Sequence, residues 1–289
     1  MKDGMRAVGW AALLLLTAGS TRSSAQGVVV LLSPDAPHSQ GGVVNQTGID
    51  PNAFLRLSPG TSTTPSTAML GFGFINVNTG QLIPNLDILI DSSAVPFSGG
   101  HSHDDGNRPG GSFQPQSGNT GPGGLLPVIY TAPQVSGLIN VTVVCTSILC
   151  SPFLGRVDVS IDLVAVTAGT LIGDTQQHPS NHWGTPSLAQ AVTDLENLYE
   201  ARFNSSLQFN DSSLQWGGLF DCGANAPPCR ATAQPWFPPH LSHRWGTNQD
   251  MDITSVPVAR RNELLHMIGL ARMRTLQEDA QHWHLTVRF

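Results

Sequence analysis

Five of the ten histidines fall in the last fifty residues, and four of them sit in two patterns whose residue types suit a metal ion. The first runs His240-Leu-Ser-His243-Arg-Trp-Gly246-Thr-Asn-Gln-Asp250-Met-Asp252, and the second is His282-Trp-His284. Zinc takes imidazole nitrogen and carboxylate oxygen, and a catalytic zinc keeps a fourth position open beside three protein ligands. His243 and Asp250 must therefore converge, and a tight turn at Gly246 would bring the following strand back beside the first. On a strand His282 and His284 share one face. At roughly 6–7 Å between such neighbours, both reach one ion only with difficulty. The spacing suits one of the two as ligand and the other as a neighbouring acid/base.

These residues need a folded frame, and the grammar of the last 110 residues supplies one. Thr185 is a plausible cap with Pro186 at the first helical position. Leu188, Ala191, Val192, Leu195, Leu198 and Tyr199 then repeat at three/four spacing, predicting a helix to about Phe203. A second helix is expected from Val258 to about Met273, and Trp283 to Phe289 alternates as a terminal strand. Residues 174–289 thus read as a small α+β domain.

Residues 27–170 read as all-β. Ala68–Ile75, Leu86–Ile90, Leu138–Val144 and Val157–Val166 are short apolar or alternating runs between turn signals, the pattern of a sandwich. Ser98 to Gly124 is almost devoid of apolar residues and is expected to be a long loop on an exposed excursion. It carries His101, His103, Asp104, Asp105 and Arg108. Three readings stand for it: a second metal site, a solvated polar loop, or a cover for the zinc site with Arg108 clamping a carboxylate.

The chain opens with Lys2 and Arg6, an apolar run from Ala7 to Ala18 and small residues at Ser23-Ser-Ala25. That is the form of a secretory signal peptide over residues 1–25, too short to span a bilayer. The expected locale is secreted or periplasmic, with no stable membrane anchor. Four cysteines suit export, and proximity favours Cys145–Cys150 and Cys222–Cys229. A four-cysteine zinc site lacks its usual Cys-x-x-Cys spacing. Net charge is −6 and Lys2 is the sole lysine, which argues against nucleic acid as a partner.

Two resemblances follow from these residues. Asn76-Val-Asn-Thr-Gly-Gln-Leu-Ile-Pro-Asn-Leu-Asp and Tyr130-Thr-Ala-Pro-Gln-Val-Ser-Gly resemble bacterial immunoglobulin-like domains. His-x-x-His-x-x-Gly-x-x-x-Asp with a late His-x-His resembles the penicillin-insensitive murein endopeptidases, within the wider group of lysostaphin-type and D-Ala-D-Ala carboxypeptidase-type zinc peptidases. The second resemblance implies His243, Asp250 and His284 as ligands of one zinc ion and His282 as the catalytic histidine. Asp252 takes the place of Asp250 if the loop after Gly246 is two residues longer than the family's, and Glu278 and Asp279 stand where related enzymes carry an acid or histidine before the last ligand, as other candidate proton carriers. It places His240 at an earlier motif histidine and Arg288 at an arginine near the terminal motif, with Arg244 a further accessory residue. The implied activity is hydrolysis of amides, with a peptide or peptidoglycan cross-link as substrate. The rival expectation is a secreted adhesion or binding protein whose C-terminal module holds metal or ligand without catalysis.

Overall fold

The computed structural model describes residues 25–33, 53–61, 63–102, 108–146, 150–176, 178–220, 240–277 and 280–288. Residues 1–24 of the expected signal peptide, His103, Glu278, Asp279 and the expected Cys222–Cys229 pair lie outside the described residues. The described chain is mostly β-structure.

Alternating side chains build the first half. In β8 (Gly137–Cys145) Ile139, Val141 and Val143 are buried, while their neighbours are partly or fully exposed. β8 pairs antiparallel with β4 (Asp87–Ala94) and β10 (Phe153–Val159), and β2 (Leu55–Leu57) and β6 (Ser117–Asn119) complete the sheet. A second five-stranded sheet joins β5 (Ser112–Gln114), β7 (Leu125–Thr131), β3 (Thr67–Asn76), β1 (Ala25–Ser33) and β9 (Cys150–Ser151). Leu70, Phe72, Phe74, Val128 and Tyr130 of this sheet share one core with Ile88, Ile90, Ile139 and Val157 of the other. Period-two alternation leads here to two sheets closing over one apolar layer. The Cys145–Cys150 disulfide, with 6.0 Å between Cα atoms, links β8 to β9.

Two expectations need correction in this half. The strand expected over Val157–Val166 begins at Phe153 and stops at Val159, because Ser160 and Ile161 turn their N–H groups to Leu57 and Trp216. The Ser98–Gly124 segment is not all loop, since β5 and β6 lie within it.

A second core begins at Val166. Helix α1 spans Pro186–Phe203, with the Thr185 hydroxyl accepting from Leu188 N and Asn204 closing it in the left-handed region. Its apolar stripe packs on one face of a five-stranded sheet ordered β12 (Thr170–Leu171), β14 (Gln208–Phe209), β15 (Asn248–Asp252), β17 (His282–Val287), β16 (Met273–Gln277). Helix α2 is Arg261–Leu270, shorter than expected. A 3-10 turn occupies Val258–Arg260, Arg272 takes φ +58, and Met273 starts β16, an edge strand that helical spacing had concealed. A small β11 (Val164–Ala165) and β13 (Trp183–Gly184) pair connects the two halves of the chain.

Candidate metal centre

The β15–β17 pair sets the site. Met251, Trp283, Leu285 and Val287 belong to the helix-covered core, so strand alternation sends Asp250, His282 and His284 to the opposite face. The register puts Asp250 directly opposite His284 and Asp252 opposite His282. Cross-strand neighbours of this kind stand close enough for their side chains to meet.

His243 arrives from a 3-10 turn over His240–Trp245. Gly246 at φ +62 ends that turn, its N–H bonded to the His243 carbonyl, and the chain reverses into β15. A Cβ at Gly246 would stand 2.6 Å from a Leu163 methyl and 3.0 Å from Gly184 Cα. Left-handed backbone costs an L side chain about 1–2 kcal/mol even without such contacts. Gly246→Ala is therefore expected to lower stability by at least that amount in urea titrations. An unchanged midpoint and slope would show that the turn does not depend on this residue.

His243, Asp250 and His284, all buried, offer ligand atoms within 4.8 Å of one another. His243 Nε2 lies 3.3 Å from Asp250 Oδ2, and His284 Nδ1 lies 2.7 Å from Asp250 Oδ1. The outer nitrogens are held as well. His243 Nδ1 donates to the Ser212 carbonyl, and His284 Nε2 is 3.1 Å from the Ser242 hydroxyl. Anchoring the far nitrogen fixes the tautomer and turns the near one inward, as metal-binding imidazoles require.

This donor set fits a cation on chemical grounds. A carboxylate can only accept, so two imidazoles facing it at these distances need either protons between them or one positive ion. Burial alone would strip the His243 proton, but its bond to Asp250 and the Asp250 charge outweigh that and hold its pKa above the ordinary value. Burial would likewise raise Asp250, yet His243 and His284 hold its carboxyl far below the usual carboxylate range.

Around this centre lie residues that sequence spacing did not single out. Burial pushes the Asp211 carboxyl up to about 7, opposed by His243 and reinforced by Asp250. It accepts a hydrogen bond from Asn181 Nδ2. The Asn210 amide is 3.3 Å from His282 Nε2, so one tautomer of that half-buried imidazole is favoured whichever way the amide points. His182 is buried beside Asp174, 3.4 Å away, and burial lowers its pKa. For Asn210 and Asp211 the signal in the sequence was the polar run Asn210-Asp-Ser-Ser213 between apolar segments, which reads equally well as a loop, and His182 lay in the His178–Trp183 segment that reads as a structural lead-in to the first helix.

The other candidates have separate placements. The Asp252 carboxylate accepts from Thr254 N and Oγ1, capping the 3-10 turn that follows, while Asp250 stands in the cluster. Arg244 turns to the β-sandwich, where it donates to the Gly60 carbonyl and the Gln134 side chain. Arg288 is exposed beyond β17, with its N–H on the Arg272 carbonyl. His240 opens the 3-10 turn. Arg108 donates to the Val95 and Ser98 carbonyls. The exposed excursion expected for His101 is corrected, because its ring is buried at 2% exposure against His178. The Gly99–Gly100 backbone packs so closely on Ser136 and Gln215 that the chain is drawn in rather than out.

No protein-family model matches the chain, and no curated protein matches it. Among solved structures it is similar to the ASH / PapD-like domain of human CEP192 (PapD-like domain 7). That similarity has 14% identity and a TM-score of 0.25, over 43% of this chain and 97% of that one. No helix among the described residues is long and apolar enough to cross a membrane.

Proposed function

We propose that the chain is an exported zinc-dependent hydrolase of amide bonds, acting on peptides of the peptidoglycan cross-link type. In this reading an N-terminal immunoglobulin-like domain precedes a C-terminal zinc peptidase-like domain. The observation that carries it is the buried His243–Asp250–His284 cluster, in which both outer imidazole nitrogens are anchored and both inner ones face a single carboxylate. Zinc bound there would polarise the scissile carbonyl and acidify a water at its open position.

The chain's own residues divide the remaining work. Ser212 and Ser242 orient the two ligand rings. His282 lies one strand step from His284, half-buried, and Asn210 steadies its ring. An imidazole so placed can take a proton from the attacking water and return it to the leaving amine. Hydrophobic packing of Trp283 and Leu285 behind the strand keeps His282 and His284 turned outward.

Chelator-treated protein should be inert on a panel of short peptides and cross-linked peptidoglycan, and added zinc should restore cleavage. Metal binding without turnover on every substrate would favour the binding-protein reading. Absence of both would remove the zinc centre altogether.

A further inference from the structure

Beside the His243–Asp250–His284 cluster lies a group of hydrogen-bond acceptors with too few donors. At its centre is Asp211, 9% exposed, whose backbone carbonyl accepts from Asp250 N. Its carboxylate feels the charges of His243, Asp250, His282 and Asp174. Asn181, 1% exposed, donates its Nδ2 to both the Asp211 carboxylate and the Gly173 carbonyl. The carbonyl can only accept, as can an ionised carboxylate, so the amide nitrogen faces them. Asn181 Oδ1 is then left buried with no donor among the described residues. Asn210 repeats the pattern, with Nδ2 toward His282 Nε2 and a buried Oδ1 that no described donor reaches.

The two side chains that follow β14 meet at Gly173. With φ at +90 and no side chain, this glycine lets Asn210 Oδ1 and Asp211 Oδ1 close in, to 1.6 and 3.3 Å from where a Cβ would stand. Next in sequence, Asp174 keeps 53% of its side chain in solvent and lies 3.4 Å from His182 Nε2. His182 has the Asn210 and Ile172 carbonyls near its ring as well, and burial favours its neutral form. A neutral imidazole has one N–H for these three acceptors. Buried polar atoms are ordinarily paired, and a buried carboxylate without a counter-charge is costly. A primary ammonium brings three donors and one positive charge. A metal ion fits less well, because among the described residues it is His243, Asp250 and His284 whose ligand atoms lie within 4.8 Å of one another.

We propose that Asp211, Asp174, Asn181 and Asn210 form a subsite for a primary ammonium group of a peptide ligand, either its α-amine or a side-chain amine. The two carboxylates supply the charge, and the amide oxygens accept N–H donors. Asp174, half in solvent, marks the side of entry. Because Asn210 also touches His282, the bound amine sits next to the acid/base of the zinc centre. Its part in turnover rests on the hydrolase reading, whereas binding of the amine does not.

Binding is measured by calorimetry near neutral pH on the whole protein, both zinc-loaded and chelator-stripped. The probes are triglycine, Nα-acetyl-lysyl-glycyl-glycine and the amine-free Nα-acetyl-norleucyl-glycyl-glycine. At least one amine peptide should bind about tenfold or more tightly than the norleucyl peptide in the stripped protein, the weight of a single charge-assisted hydrogen bond. Asp211→Asn should cut that preference to about threefold or less. If thermal melts show Asp211→Asn to be unfolded, Asp174→Asn, at a half-exposed position, decides by the loss of at least about threefold of the preference. Tighter triglycine identifies the α-amine, and tighter acetyl-lysyl peptide the side-chain amine. Equal binding of all three probes, no measurable binding, or a preference that survives the deciding substitution overturns the proposal. A preference in stripped protein, with no zinc-dependent cleavage across the peptide panel, would keep this subsite and sink the hydrolase reading. Cleavage without a preference would do the reverse.

Discussion

His284→Ala, His243→Ala and Asp250→Ala should each weaken zinc binding by well over the roughly 10- to 100-fold that follows loss of a residue merely supporting a ligand. Each removes a donor from a three-donor set whose atoms lie within 4.8 Å of one another. Asp252→Ala should leave zinc affinity nearly unchanged, because that carboxylate caps the turn at Thr254. Competition with a chromogenic chelator measures all four, and loss of zinc from Asp252→Ala alone would move the ligand assignment by two residues. The same centre sets a pH dependence. His243 is held above its ordinary pKa, so its proton-dependent stabilisation of the metal-free fold is present at mild acid and fades as pH rises through the folded value. Asp250 is depressed, so its contribution is present above the ordinary carboxylate pKa and is lost only in strong acid. Zinc must displace the imidazole protons, and its affinity should therefore increase from pH 5 to pH 8. Thermal melts with and without zinc should diverge over that range, and a gap independent of pH would refute this account.

His282→Ala should behave differently from His284→Ala although only one residue separates them. It should keep zinc and lose hydrolysis by about 100- to 10,000-fold, the usual weight of a general acid/base. Asn210→Ala should lower the rate less than His282→Ala, since the amide beside His282 Nε2 no longer favours one tautomer. A merely structural role for His282 would lower zinc affinity and rate together. That result would hand the proton transfer to another group.

Local sequence carried the elements with strong periodicity. Thr185, Pro186 and six apolar positions delimit α1, and β8 follows from strict alternation, because short-range rules govern caps and pleats. The meeting of His243, Asp250 and His284 was legible in part: the glycine-ended turn and the alternation of the last strand brought them into view, while the β15–β17 register decided that Asp250 rather than Asp252 faces His284. Tertiary structure decided what spacing cannot encode. Arg272 in the left-handed region turned the end of a helical pattern into β16, and pairing with Leu57 and Trp216 ended β10 within a run that still alternates. Ser212, Asn210 and Asp211 approach the centre only through packing against β15, and no local pattern marks a carbonyl as a histidine's partner. His101 shows the limit most clearly. Its Gly-rich surroundings read as solvated loop, yet close packing of Gly99 on Ser136 and of Gly100 on Gln215 buries it against a histidine 77 residues away.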